Sequence, residues 1–103
     1  MREIKFRAWD KEAKKFWWWE DLKTKTANFF ELNFLDVQQY TGLLDKNGKE
    51  IYEGDVLQYP SFEHGSRIFE VMDAMKDYRW LVDVINYSEI IGNIYENKEL
   101  LDK

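Results

Sequence analysis

The chain has 103 residues, which fits one compact domain over 1–103. It has no cysteine and a single histidine, so disulfides, thiolate metal sites, cysteine nucleophiles and metal sites built from several imidazoles are excluded. Fifteen Lys and Arg against twenty Asp and Glu leave a net charge of −5, which disfavours nucleic acid as a partner unless the cations gather on one face.

From Glu3 to Trp9 the residues alternate, with Ile4, Phe6 and Ala8 on one face of a predicted strand and Lys5, Arg7 and Trp9 on the other. The polar stretch from Asp10 to Lys15 interrupts this pattern, and Phe16, Trp17, Trp18 and Trp19 resume it. The two segments therefore read as a hairpin closed by a loop longer than two residues. Around Asp21 to Thr26 the chain becomes polar. Phe30, Leu32 and Phe34 then alternate with Glu31, Asn33 and Leu35 as a further strand, while Leu35 to Tyr40 is ambiguous. Asn47-Gly48, between Leu44 and Ile51, predicts a hairpin with a type I′ turn. Gly54 predicts a second bend that feeds Val56, Leu57 and Tyr59 into a strand ended by Pro60.

Arg67 to Met75 fits either an amphipathic helix or a strand, and the strand is preferred, paired through a turn at Ala74 to Asp77 with a strand over Tyr78 to Ile85. Glu89 to Tyr95 is strand-like around Gly92, and Asn97 can cap a terminal helical turn over Lys98 to Leu101. The expectation is a mainly β, small barrel-like (SH3-like) domain of six to eight short strands, with an N-terminal hairpin and a short C-terminal helical turn.

Few groups point to chemistry. Asp45-Lys46-Asn47-Gly48 begins like a calcium loop, but its glycine falls at the fourth position and no liganding Glu stands at the twelfth. Glu53 and Asp55 flank a glycine, which is ordinary turn composition and only weakly suggests a bound cation. His64 beside Gly65 and Ser66 lacks a nucleophile elbow. No catalytic residue, metal site or cofactor is expected, and the chain is not read as an enzyme.

Trp17, Trp18 and Trp19 ask most for explanation. In a strand Trp17 and Trp19 face one way and Trp18 the other, so both sides of the ribbon are aromatic, with at least one indole in cation–π reach of Lys5 or Arg7. Lys5, Arg7, Trp9, Trp17, Trp18 and Trp19 thus form the candidate interaction surface. Three roles compete for the triplet: a core covered on both faces, a subunit interface, or a base-stacking platform. A small domain has little chain to spare for a second cover, so the ribbon is expected to pack against another copy in a homo-oligomer.

MREIKFRAWD at the start, QYTGLLDKNGKEIYEGDV in the middle and IIGNIYENKELL at the end together resemble the YopX family of small phage and prophage proteins. The regions Lys15 to Val37 and Ser61 to Ser88 carry nothing diagnostic. The resemblance implies phage or prophage origin and a mostly β fold entered through EIYEGDV, and it brings no catalytic residues. The expected role is a non-enzymatic interaction or structural module whose partner is a phage or host protein. A nucleic-acid-binding module or an acidic decoy imitating DNA is the alternative. With no membrane-spanning stretch and no apolar leader in MREIKFRAWD, a cytoplasmic location is expected.

Overall fold

The computed structural model describes residues 4–25, 31–61, 65–72 and 87–101. Strands β1 (Phe6–Asp10) and β2 (Lys15–Trp17) form the predicted antiparallel hairpin, with Ala8 opposite Trp17 and Trp9 opposite Phe16. Asp10 closes it: Oδ1 accepts from the amides of Glu12 and Ala13 at 2.9 and 2.8 Å, and Oδ2 accepts from Trp17 Nε1 at 3.1 Å. This aspartate side chain supplies the turn that the loop length left open.

The expected strand through Trp19 ends two residues earlier. Trp19–Lys25 is a helix, α1, where the end of the strand and a polar stretch were expected. The Trp18 carbonyl accepts from the amides of Asp21 and Leu22, both at 2.9 Å, and Glu20 and Asp21 favour the positive end of the helix. Leu22, fully buried, anchors α1 to β1, and that contact with the core outweighs the β propensity of the tryptophans.

The strand expected to begin near Phe30 is also displaced. Leu32 to Phe34 form a turn closed by the Leu35 amide on the Leu32 carbonyl at 3.1 Å, and the ambiguous stretch after it is the strand β3 (Leu35–Leu44). β3 pairs with β1 along Leu35 to Gln39, then with β4 (Glu50–Tyr52), with an irregularity between Tyr40 and Leu44 where Gly42 takes a φ of 86°.

The β3–β4 hairpin is present, but its turn is not type I′. The Gly48 amide donates to the Asp45 carbonyl, so Lys46 and Asn47 are the central residues, and only Gly48 has a positive φ, 82°. A type I turn followed by a left-handed glycine gives the same reversal with one more residue.

Gly54, at φ 89°, makes the second bend and passes the chain into β5 (Asp55–Ser61). A Cβ there would run into the Gln38 carboxamide, so the close approach of β3 requires glycine as much as the dihedral does. β5 is the middle of a second antiparallel sheet, between β6 (Gly65–Glu70) and β7 (Glu89–Asn93). It continues through Pro60, which was expected to end it. β7 pairs with β5 only as far as Gln58, so Pro60 sits where the strand has β6 alone beside it. Arg67 to Glu70 follows the strand alternative. The predicted turn at Ala74 to Asp77, the strand over Tyr78 to Ile85 and His64 lie outside the described residues. The terminal turn is a 3₁₀ helix over Lys98–Leu101, with the Leu100 amide on the Asn97 carbonyl at 3.0 Å.

The domain is mainly β, a curled half-barrel in which the sheet β2-β1-β3-β4 faces the sheet β6-β5-β7. Two apolar clusters hold it. One joins Ala8, Leu22 and Leu35 with Trp17, Trp19 and Phe34 beneath α1; the other joins Ile51, Leu57 and Val71 with Phe69 and Ile90 between the sheets. Among the described residues no helix is long and apolar enough to cross a membrane.

Candidate functional site

The alternation of β1 sends Phe6 and Ala8 into the cluster under α1 and turns Arg7 and Trp9 toward the second sheet. Arg7 is 4% exposed. Its Nε donates to Gln38 Oε1 at 2.7 Å, and its Nη2 donates to Asp55 Oδ1 at 2.8 Å and, weakly, to the Glu53 carbonyl at 3.4 Å. The guanidinium also lies 4.5 Å from the Phe16 ring centre, 4.9 Å from Tyr52 and 5.7 Å from Trp18. A buried charge is tolerated when paired and hydrogen-bonded, and here the aromatic faces add a second source of compensation.

Asp55 is equally enclosed. Its second oxygen accepts from the Tyr52 amide at 2.8 Å. Burial pushes its carboxyl above the ordinary range, opposed by the Arg7 charge and the Tyr52 amide. Glu53 accepts from the Gln39 amide at 3.0 Å, so the two carboxylates flanking Gly54 are engaged in the bend and do not converge on a cation. Among the described residues no group of three or more His, Cys, Asp or Glu side chains is placed to hold a metal.

The six predicted surface residues separate into three environments. Arg7, Trp9 and Trp18 each meet the Phe16 ring, and Trp18, 48% exposed, stands at 6.0 Å from Tyr52. Trp17 and Trp19 pack beneath α1, Trp19 edge-on to Phe6 at 5.7 Å. Their shared side matches the parity argument, although Trp19 reaches it as the first residue of a helix. Lys5 ion-pairs with Glu50, lies 5.0 Å from the Tyr40 ring and lines a smaller hollow with Trp18 and Trp19.

Part of the ribbon's second face takes its cover from its own chain, while Trp18 on that face stays half exposed. Tyr95 stacks on Trp9 at 5.1 Å and 10°, and meets Phe16 edge-on at 6.1 Å. Burial, followed by the Asp36 carboxylate to which it is hydrogen-bonded, pushes the Tyr95 phenol up to about 12. Asn93 sets this ring in place: its Oδ1 accepts from the amides of Tyr95 and Glu96 at 3.0 and 2.9 Å, while the Asn93 amide donates to Asn97 Oδ1 at 3.2 Å. Gly92 leaves room for that asparagine, since a Cβ would fall 2.6 Å from it.

Over the buried pair opens a cleft of about 380 Å³. Phe16, Trp18 and Tyr52 line it from the first sheet, and Ile90, Gly92 and Asn93 from β7. Sequence reasoning missed Gln38, Tyr52, Asn93 and Tyr95 as parts of one site. The available signal was that all but Gln38 lie in the middle and C-terminal stretches that carry the family resemblance, with Gln38 one residue before the middle one.

The architecture is that of a small mainly β domain whose sheets close around a buried Arg–Asp pair. The family model described as YopX protein matches residues 23–102, and the chain belongs to the YopX family. The crystal structure of protein EF1440 from Enterococcus faecalis is similar, with a TM-score of 0.59, 25% sequence identity, and coverage of 98% of this chain and 99% of that one. No match is found among curated proteins.

Proposed function

We propose that the chain is a non-enzymatic interaction module of a phage or prophage, acting in the bacterial cytoplasm, and that it engages a partner protein through the cleft between its sheets. The observation that carries this reading is the pairing of an exposed indole, Trp18, with a cleft whose buried charges, Arg7 and Asp55, are committed to each other. General acid–base chemistry needs a titratable group with a free lone pair or proton within reach of a substrate. Asp55 is ion-paired with Arg7 and also accepts from the Tyr52 amide, so its carboxylate is held in the bend. What the cleft offers instead is aromatic area, the currency of recognition.

Nucleic-acid binding is the rival reading, favoured by the same exposed indole, on which a base could stack. Against it, Arg7 is buried, and Lys5, Lys11 and Lys46 each meet a carboxylate, those of Glu50, Asp36 and Glu89. Self-association through the half-exposed Trp18 would use the same surface.

Tagged protein and its Trp18→Ala variant, passed over lysate from phage-infected host cells, test the reading. A protein retained by the first and lost by the second, with circular dichroism unchanged, is the expected result. Identical retention by both would remove the cleft from the account, and DNA affinity that falls steeply with salt would transfer the function to the rival.

A further inference from the structure

The guanidinium of Arg7 has five N–H bonds. Three are used, by Gln38, Asp55 and the Glu53 carbonyl. Among the described residues no acceptor meets the two on Nη1, yet no fully buried side-chain nitrogen or oxygen is left without a partner. Nη1 therefore keeps some exposure on a side chain that is otherwise enclosed, and the cleft that Arg7 lines is the opening it can face. An N–H donor held rigidly at the base of an aromatic cleft asks for an acceptor.

The charge around it decides which acceptor. The cleft is lined by Arg7 and Lys49 against Glu50, Asp55 and Glu96, and Lys5 ion-pairs with Glu50 from beside it, so no cationic surplus draws an anion in. The base is a neutralised pair, and an anion brought to Nη1 would also face the Asp55 carboxylate. A neutral carbonyl oxygen meets the same donor without that repulsion. Phe16, Trp18 and Tyr52 then supply faces for a flat group bonded close to that carbonyl.

We propose that the cleft is a binding site for a neutral amide carbonyl adjoining an aromatic ring, as a peptide presents at an aromatic residue, with the carbonyl on Arg7 Nη1 and the ring against Trp18. This rests on the cleft being the docking surface, and names what docks.

The test uses N-acetyl-phenylalanine amide as probe and follows the Arg7 guanidinium and Trp18 indole N–H resonances of the intact chain by NMR. Arg7→Ala would strip Asp55 of its buried partner, so the guanidinium signal of the unmodified protein serves in place of that variant. Saturable movement of both resonances is expected, with a Kd on the order of millimolar for so small a ligand. Trp18→Ala should weaken binding roughly two- to tenfold. Acetate and inorganic phosphate should leave both resonances unmoved. Resonances unmoved by the probe, tighter binding of acetate or phosphate, or full affinity in Trp18→Ala would each overturn the proposal. Partner capture that depends on Trp18 without probe binding would overturn it while sparing the docking role; probe binding without such a partner would leave it standing and remove the protein-docking role.

Discussion

The two faces of β1 show two ways to bury a strand. Under α1, Phe6 and Ala8 meet Leu22, Leu35 and Trp17, where apolar volume is what counts. On the opposite face Arg7 and Trp9 meet Asp55, Gln38 and Tyr95, where each group needs a partner in one geometry. The first face tolerates repacking; the second tolerates paired replacement and penalises single changes.

The largest expected effect comes from breaking the second face. Arg7→Ala leaves Asp55 buried and unpaired and should cost about 3–5 kcal/mol in urea unfolding. The double variant Arg7→Met, Asp55→Leu should recover most of that loss, since an apolar pair needs no compensation. A double variant as unstable as the single would erase the distinction between the faces. Next comes Leu22→Ala on the first face, expected to cost about 2–4 kcal/mol with loss of helical circular dichroism as α1 detaches. Gly54→Ala combines a positive φ with a clash against Gln38, and about 1–3 kcal/mol is expected.

A smaller effect should follow pH. The Ala13 amide, with help from Trp17 and Glu12, holds the Asp10 carboxyl below its ordinary value; at Asp45 burial pushes up, and the amides of Ile90, Lys49 and Asn47 outweigh it. A depressed carboxyl contributes stability that is complete above the unfolded value near ~4 and is lost as pH falls through the folded one. Asp55 acts in reverse, because its raised carboxyl binds a proton more readily folded than unfolded. Asp45→Asn should therefore flatten the acid side of the stability curve, and an unchanged acid slope would contradict the assignment. The smallest effect is Trp18→Ala, within about 0.5–1 kcal/mol of the parent, because its ring is half exposed.

What was legible in the sequence was local. Gly48 and Gly54 announce their turns because each solves a dihedral problem within a few residues, whereas the Asn97 side chain, expected to cap the terminal turn, accepts from the Asn93 amide instead. The helix α1 was hidden because three consecutive tryptophans read as strand, and only the distant fit of Leu22 into the core decides otherwise. The site was hidden for the same reason on a larger scale. Arg7 and Asp55 are 48 positions apart; one reads as part of an interaction surface on an alternating strand and the other as a turn acid. Of the six surface residues, alternation correctly set Arg7 and Trp9 opposite Phe6 and Ala8. It had no means of showing that Tyr95 would be the cover.

The junctions made by the last described residues also bear on the order in which the fold can be completed. The Asp45 carboxylate waits for the Ile90 amide, the Gly54 carbonyl for that of Ile94, and Trp9 for Tyr95. A chain made from its N-terminus can assemble the β1–β2 and β3–β4 hairpins early, yet each retains an unmet acceptor or an uncovered ring until β7 and the Asn93–Asn97 turn arrive. Those contacts span the sequence, and their loop-closure entropy must be overcome in one late step. The half-barrel is thus sealed by its C-terminal strand, and the interval before that strand is synthesised is when the aromatic ribbon is most open to aggregation or to capture by a chaperone.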